Sequence, residues 1–291
     1  MGSPSNGKIT VPAILDRKNR GRKITMLTAY DFQMASLLDQ TGIDILLVGD
    51  SLATVVLGYD NSLPVTMEEM LHHTRAVSRG TDRALLVADL PFLSFHLSIE
   101  ETVRNAGRFL KEGGAQAVKL EGGVQRKNAI QALVAAEIPV MGHVGLTPQS
   151  IHRLGGYRVQ GRSRNQARRL LEDAQAVEEA GAFAIVLEGI PGTLASVITR
   201  RLRIPTIGIG AGVGCDGQVL VTNDLLGMDG DRPPRFVRRF ADLRAEIQAA
   251  VGRFLSEVEG GTFPSARETY SVSEPIDLEM PEELEAEDGD S

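Results

Sequence analysis

Four acidic residues each end an apolar, β-prone run, and their type and position suit them to chemistry. The runs TGIDILLVGD, ALLVAD, GGAQAVKLEG and AGAFAIVLEG bring the acids to Asp50, Asp89, Glu121 and Glu188. A buried carboxylate is costly unless it is paired or bound to a metal. If the runs are parallel strands, the acids meet at one edge, where a hard cation such as Mg²⁺ relieves their repulsion. The alternative is that each acid caps a helix or pairs with an arginine.

Two basic residues accompany these acids. Lys119 lies two positions before Glu121, so both side chains point to the same side of a strand. A lysine there can neutralise a substrate carboxylate or form a Schiff base; the alternative is an ion pair with one of the acids. His143 ends the run IPVMGH, where it can orient a substrate or a metal-bound water, or remain a satisfied buried histidine.

Eight short apolar runs, mostly separated by helical segments, indicate the elements that position these side chains. Besides the four acid-ended runs, we expect strands at ITMLTA, IPVMGH, IPTIGIG and QVLVTN, the last two too close for a full helix between them. Capping patterns predict helices after Thr66, Ser98 and Ser163. Alternating strands and helices predict a parallel sheet. Eight units in about 240 residues predict a (β/α)8 barrel, with a doubly wound open sheet as the alternative.

The predicted barrel also says where the acids would act, because active sites of such barrels lie at the carboxyl ends of the strands. Other catalytic motifs are missing from the sequence. The glycine-rich run GIGAGVGCDG does not fit a phosphate-binding P-loop, and we expect it to form tight turns. No segment supplies the G-x-S-x-G elbow of a serine hydrolase.

Composition and charge exclude several classes of protein. The 291 residues are 42% hydrophobic and 24% charged, typical of a globular chain. The formal net charge is −7, but residues 268–291 carry ten acids and no Lys or Arg, which leaves 28 acids and 31 bases in residues 1–267. A near-neutral body without a basic stripe argues against nucleic-acid binding. We expect the polar, acidic segment 265–291 to be a disordered tail, with an acidic docking segment as the alternative.

Cysteine usage and hydropathy indicate the compartment. Cys215 is the only cysteine, which excludes an intramolecular disulfide and a cysteine-based zinc site. No apolar run approaches the roughly 18 residues of a membrane span, and residues 1–8 contain no apolar signal core. We therefore expect a cytoplasmic protein with a leader or helix at residues 1–21 and a barrel domain at residues 22–264.

The chain resembles the ketopantoate hydroxymethyltransferase (3-methyl-2-oxobutanoate hydroxymethyltransferase) family over about residues 22–264. Ten segments match the family in order, and together they are highly specific, although Gly189 departs from the bulkier residue expected there. The segments are KITMLTAYD, LLVGDS, LPVTMEEM, VADLPF, AVKLEGG, GHVGLTPQS, GGYRVQGR, VLEGIP, IPTIGIGAG and CDGQVLV.

The resemblance implies a (β/α)8 TIM barrel of the phosphoenolpyruvate mutase-like type and a specific reaction. A hydroxymethyl group passes from 5,10-methylenetetrahydrofolate to 3-methyl-2-oxobutanoate through a Mg²⁺-stabilised enolate. The product is 2-dehydropantoate, a step of pantothenate biosynthesis. The resemblance also implies a homo-oligomer, often a decamer.

The resemblance further implies a role for each matching site residue. Glu188 would be the proton acceptor. Metal binding is implied for Asp50 and Asp89, with Glu121 in the immediate surroundings of the metal. Substrate binding is implied for Asp50, Ser51, Asp89, Lys119 and His143.

Three other functions are compatible with the same residues. A C–C lyase or phosphonopyruvate-type mutase would use the metal and a 2-oxo acid without folate. A Schiff-base aldolase would use Lys119, and a borohydride-trapped adduct would reveal it. A non-catalytic protein would bind only a metal or a small acid. Deuterium exchange at C3 of the keto acid, with and without folate, separates the lyase from the transferase.

Overall fold

The computed structural model describes residues 7–228, 230 and 233–271, and its strands form a closed parallel barrel. Each strand pairs with the next in chain order, and the last pairs with the first. The (β/α)8 prediction is therefore confirmed. The strands are β1 Ile24–Thr28, β2 Ile45–Val48, β3 Leu85–Asp89, β4 Ala117–Glu121, β5 Val140–Gly145, β6 Ala184–Glu188, β7 Thr206–Ile209 and β8 Gly217–Leu220.

The α-helices of the described residues alternate with most of these strands. Capping boxes begin the helices after Thr66 and Ser163, as predicted, whereas Ser98 caps its helix only by accepting from the Glu101 backbone N–H. The helices are α1 Val11–Asn19, α2 Phe32–Gln40, α3 Leu52–Val55, α4 Met67–Arg79, α5 Ile99–Lys111, α6 Lys127–Ala135, α7 Ile151–Leu154, α8 Arg164–Glu179, α9 Gly192–Arg201, α10 Thr222–Leu226 and α11 Leu243–Glu259.

The strands are apolar along their length because the barrel buries both of their faces. Every residue of β2, β3 and β4 is buried, which is the pattern of parallel sheets covered by helices. One apolar cluster fills the barrel interior, and a larger one lies between the strands and the surrounding helices. The short connection from β7 to β8 contains no helix, as their spacing predicted.

Helix α1, within the segment predicted as a leader, packs at the amino-terminal end of the barrel. Ile14 is fully buried and belongs to the interior cluster. Lys18 Nζ lies 2.7 Å from Asp216 Oδ2, just before β8, and Arg17 pairs with Asp44, just before β2. These contacts fix the end of the barrel opposite the predicted active site, so α1 is part of the folded body.

Two compact units divide the chain, one ending at Asp242 and one beginning at Leu243. The second unit contains α11, none of whose residues is buried. The predicted barrel domain, residues 22–264, thus includes part of both units. Of the predicted tail, residues 265–271 are described and contain a turn in which Ser265 Oγ donates to Glu268 Oε2; residues 272–291 lie outside the described residues. No helix in the described part of the chain is long and apolar enough to span a membrane.

Strand β5 packs closely against α8 at Gly142. A Cβ at this position would lie 2.4 Å from Val177 Cγ1. We expect Gly142→Ala to destabilise the protein by about 1–3 kcal/mol, because overpacking a filled core forces the neighbours to shift. Thermal unfolding measures the effect. Gly107→Ala is the control, since Gly107 lies in α5 with open space around it, and it should stabilise by roughly 0.5–1 kcal/mol. Equal midpoints for the two variants would contradict this packing.

Candidate active site

A cavity of about 1200 Å³ opens at the carboxyl ends of the strands, and all four strand-ending acids line it. Asp89, Glu121 and Glu188 are the last residues of β3, β4 and β6, and Asp50 follows β2 by two residues. Parallel pairing carries these positions to the same rim, so residues far apart in sequence meet there. Asp50, Asp89 and Glu121 are buried, and the Glu188 side chain keeps 15% of its surface exposed.

A buried ion pair lies at the centre of the site. Lys119 Nζ is 2.7 Å from Asp89 Oδ1, and the backbone N–H of Asp50 donates to Asp89 Oδ2 over 3.2 Å. Burial raises the pKa of Asp89 to about 7, although the Lys119 charge opposes the shift. Burial lowers the pKa of Lys119, but Asp89, Asp50 and Glu121 outweigh it, so the pKa rises and the ammonium keeps its charge. Lys119 thus forms an ion pair with one of the acids, Asp89, which was the alternative considered for this lysine.

His143 links this pair to the two glutamates. Its Nδ1 lies 3.3 Å from Lys119 Nζ and 3.5 Å from Glu121 Oε1, and its Nε2 lies 3.2 Å from Glu188 Oε2, outside hydrogen-bond geometry. Burial and Lys119 lower the pKa of His143, but Glu121 and Glu188 outweigh them and bring it to about 9. When the His143 ring is protonated, both of its nitrogens carry a proton, and Nδ1 cannot accept a hydrogen bond from the Lys119 ammonium. The protonation state of His143 therefore depends on Lys119 and on the two glutamates.

Ser51 lies beside the acids through a partner that the sequence analysis missed. Its Oγ lies 2.8 Å from the hydroxyl of Tyr30, a buried residue shortly after β1. Burial raises the pKa of Tyr30, and the negative charge of Asp50 adds to the effect. The neutral phenol therefore positions the Ser51 hydroxyl on the cavity wall.

Gln149 is the second residue that the sequence analysis missed. Its side-chain Nε2 donates to Asp50 Oδ2 over 2.9 Å and to the Leu90 carbonyl over 3.0 Å. Its backbone N–H donates to Glu121 Oε2 over 3.1 Å. Gln149 thus holds two of the four acids at fixed positions. It lies in the segment GHVGLTPQS, whose composition alone gives no sign of this role.

The donor set fits a hard cation such as Mg²⁺. Within the described residues, no three His, Cys, Asp or Glu side chains form a complete metal cluster. Mg²⁺, however, is commonly held through one or two carboxylates plus waters and substrate oxygens, and Asp50 and Asp89 are adjacent. The buried polar atoms without a hydrogen-bond partner among the described residues include Glu121 Oε1, His143 Nε2 and Gln149 Oε1 at this site. Such atoms are expected beside bound water, an ion or a substrate.

Known proteins resemble this chain over most of its length. The family model for ketopantoate hydroxymethyltransferase matches residues 8–266. The chain belongs to the ketopantoate hydroxymethyltransferase family. The match begins before residue 22, so it also takes in α1. The chain is 56% identical to a 3-methyl-2-oxobutanoate hydroxymethyltransferase of Syntrophus aciditrophicus, over 93% of this chain and 100% of the relative. A protein of the same name from Clostridium novyi is 54% identical, over 92% and 98%.

Several solved structures share this fold at low sequence identity. A phosphonopyruvate hydrolase complexed with oxalate and Mg²⁺ superposes with a TM-score of 0.59 at 15% identity, over 90% of this chain and 92% of that one. A 2,3-dimethylmalate lyase of the PEP mutase/isocitrate lyase superfamily gives 0.55 at 17% identity, over 89% and 91%. These similarities confirm the predicted fold type of this ketopantoate hydroxymethyltransferase family member.

Proposed function

We propose that the chain transfers a hydroxymethyl group from 5,10-methylenetetrahydrofolate to 3-methyl-2-oxobutanoate, giving 2-dehydropantoate. The observation that carries this proposal is the meeting of a buried Asp89–Lys119 pair, His143 and a partly exposed Glu188 in one cavity. The family membership and the names of the relatives support it. Four carboxylates beside one lysine leave an excess of negative charge, so the site suits a substrate that binds together with a divalent cation.

The keto acid would bind at the charged wall. Asp50 and Asp89 would hold Mg²⁺, with Glu121 next to it. When bound, the metal supplies Lewis-acid stabilisation of the negative charge that develops on the keto oxygen. Lys119 would add a positive charge beside the keto oxygen, because Asp89 holds its ammonium group in position. The Ser51 hydroxyl, positioned by Tyr30, would donate a hydrogen bond to the substrate carboxylate.

Glu188 would take the proton from C3 of the keto acid. Its side chain reaches the cavity, and a carboxylate is a competent base for a carbon acid that other groups have already polarised. His143 lies against Glu188 and would fix its orientation. The carbanion formed at C3 would then bond to the methylene carbon, while both C–N bonds that join this carbon to the folate break. One water molecule is consumed: its oxygen becomes the new hydroxyl group, and tetrahydrofolate leaves with one proton from C3 and one from the water.

Two further features belong to the same proposal. The chain would assemble as a homo-oligomer, which the family resemblance implies and which light scattering or sedimentation would test. It would act in the cytoplasm on small molecules alone.

Removing the metal should stop the reaction. We expect EDTA to abolish product formation from the keto acid and methylenetetrahydrofolate, and Mg²⁺ to restore it, since acid–base catalysis alone gives only about 10²–10⁴-fold. Asp89→Asn should raise the Mg²⁺ concentration needed for half-maximal rate. Glu172→Asn, on the exposed face of α8, is the control. A metal-independent rate of product formation would contradict the proposal, and cleavage of a larger 2-oxo acid without folate would favour the lyase.

A further inference from the structure

The cavity has two chemically different walls. The acids, Lys119 and His143 occupy the ends of β2 to β6. The wall at β7 and β8 is formed instead mainly by apolar side chains, including Ile209, Val219 and Phe236. Phe236 is 37% exposed and is one of the residues that line the cavity here. An exposed phenyl ring inside a catalytic cavity is suited to a flat, partly apolar ligand.

The phenyl ring of Phe236 is set into the wall by a glycine. Gly210 follows β7 with φ of +60°, and a Cβ there would lie 2.9 Å from Phe236 Cδ1. The ring therefore packs directly on the Gly210 backbone, and a larger residue would push it away.

The volume leaves room for a second ligand. Pockets for drug-sized ligands measure about 300–1,000 Å³, and this cavity of about 1200 Å³ is larger than that range, whereas the keto acid is a very small molecule. A keto acid held at Lys119 and Ser51 leaves the β7–β8 wall uncovered.

Charge indicates which end of a second ligand lies where. The acid cluster repels anions that neither Lys119 nor a cation holds, and its reach is seen at Tyr157, whose pKa is raised by burial and further by Asp50 and Glu188. Arg235 also lines the cavity. Among the described residues no acid pairs with Arg235, whereas the cavity's Lys119 pairs with Asp89. The other charged residue of this wall, Asp224, lies near Tyr30. An anionic group would therefore be drawn to Arg235.

We propose that the β7–β8 wall is the subsite for the folate co-substrate, with the planar pterin and aminobenzoyl groups packed on Phe236 and a glutamate-tail carboxylate bound to Arg235. This inference rests on the proposed function. It places the methylene carbon between the two walls, facing the keto acid, and gives Phe236 and Arg235 a positioning role without a part in the proton transfer.

A truncated co-substrate tests the role of Arg235. Initial rates are measured with 5,10-methylenetetrahydrofolate and with the amide of 5,10-methylenetetrahydropteroate, which lacks the glutamate and carries no carboxylate. We expect Arg235→Gln to raise KM for the folate by about tenfold, as for loss of one charge-assisted bond, and to leave KM for the pteroate amide unchanged. Both kcat and KM for the keto acid should stay within about twofold. Arg235→Lys should recover part of the loss.

Two further variants complete the experiment. Arg238→Gln is the matched control, because Arg238 lies in the same loop but stacks on Phe240 and does not line the cavity. Phe236→Leu should raise KM for both co-substrates alike, since both carry the rings. Calorimetric binding of tetrahydrofolate and of tetrahydropteroate amide to the keto-acid complex repeats the comparison without turnover.

The outcomes separate the inference from the proposed function. Suppose that the wild-type chain forms product, but that Arg235→Gln has the same KM values as Arg238→Gln, or raises KM for both co-substrates equally. The proposed subsite is then wrong, and the proposed function stands. If the wild-type chain forms product with neither co-substrate, and calorimetry detects no tetrahydrofolate binding, both fall together.

Discussion

Glu188→Gln is expected to lower turnover by about 10²–10⁴-fold, the usual contribution of a general base, while the keto acid still binds. Glutamine has the shape of glutamate but cannot take a proton from carbon. The Glu188 side chain keeps 15% of its surface exposed and contacts His143 without a hydrogen bond, so the substitution removes little structure. An effect confined to kcat would identify a group that acts in the transition state.

Deuterium exchange at C3 of 3-methyl-2-oxobutanoate in the presence of tetrahydrofolate isolates this step from hydroxymethyl transfer. We expect exchange in the Glu188→Gln variant to fall together with turnover, while calorimetry gives a nearly unchanged keto-acid affinity. Glu172→Gln, an exposed acid on α8, controls for the loss of one negative charge. If the Glu188 variant exchanged and turned over like the wild type, Glu188 would have no part in the mechanism.

The barrel and its ring of acids were predictable because one rule of geometry produces both. Strands such as β3 and β4 are buried on both faces, so each leaves a continuous apolar run in the sequence. The first polar residue after such a run marks the strand end, and parallel pairing brings these ends to one rim. Asp89 and Glu121 were located in this way without any knowledge of their contacts.

The partners of these acids were not predictable in the same way. Gln149 reaches Asp50 across 99 positions of sequence, from a 3-10 turn whose path depends on tertiary packing. Tyr30 reaches Ser51 from the loop after β1. Neither residue belongs to a strand or a helix whose repeating hydrophobic pattern would show which way its side chain points. Pattern predicts where a strand ends, but not where the following loop turns.

The identity of the Lys119 partner shows the same limit. Strand alternation predicted that Lys119 and Glu121 share a side, and both are buried. The ammonium nevertheless pairs with Asp89 on the neighbouring strand, the residue directly across from it in the parallel register. Register depends on how whole strands align, and a single sequence does not specify it.

Lys119→Met should destabilise the fold by roughly 3–5 kcal/mol, the cost of leaving one partner of a buried ion pair alone. The side chains of Lys119 and Asp89 are only 5% and 3% exposed, so water cannot replace the lost charge. Product formation should cease as well. Thermal unfolding with EDTA present measures the stability of the metal-free chain. The double variant Lys119→Met/Asp89→Asn should recover much of the stability but none of the activity, since both members of the Lys119–Asp89 pair are then removed together.

The pH dependence of this loss identifies Asp89 as its source. The pKa of Asp89 is raised from its ordinary 3.8 to about 7 in the fold, so the folded chain binds this proton more tightly than the unfolded chain does. Stability therefore falls as pH rises from about 4 to 7. Without Lys119 the folded pKa rises further, and this decline continues above pH 7. The gap between wild type and Lys119→Met should thus widen from pH 7 to 9. The gap between wild type and the double variant should change less over this range, because the asparagine introduced by Asp89→Asn binds no proton. If the difference in stability between wild type and Lys119→Met did not depend on pH, the substitution would act through lost packing and not through the loss of the charge that pairs with Asp89.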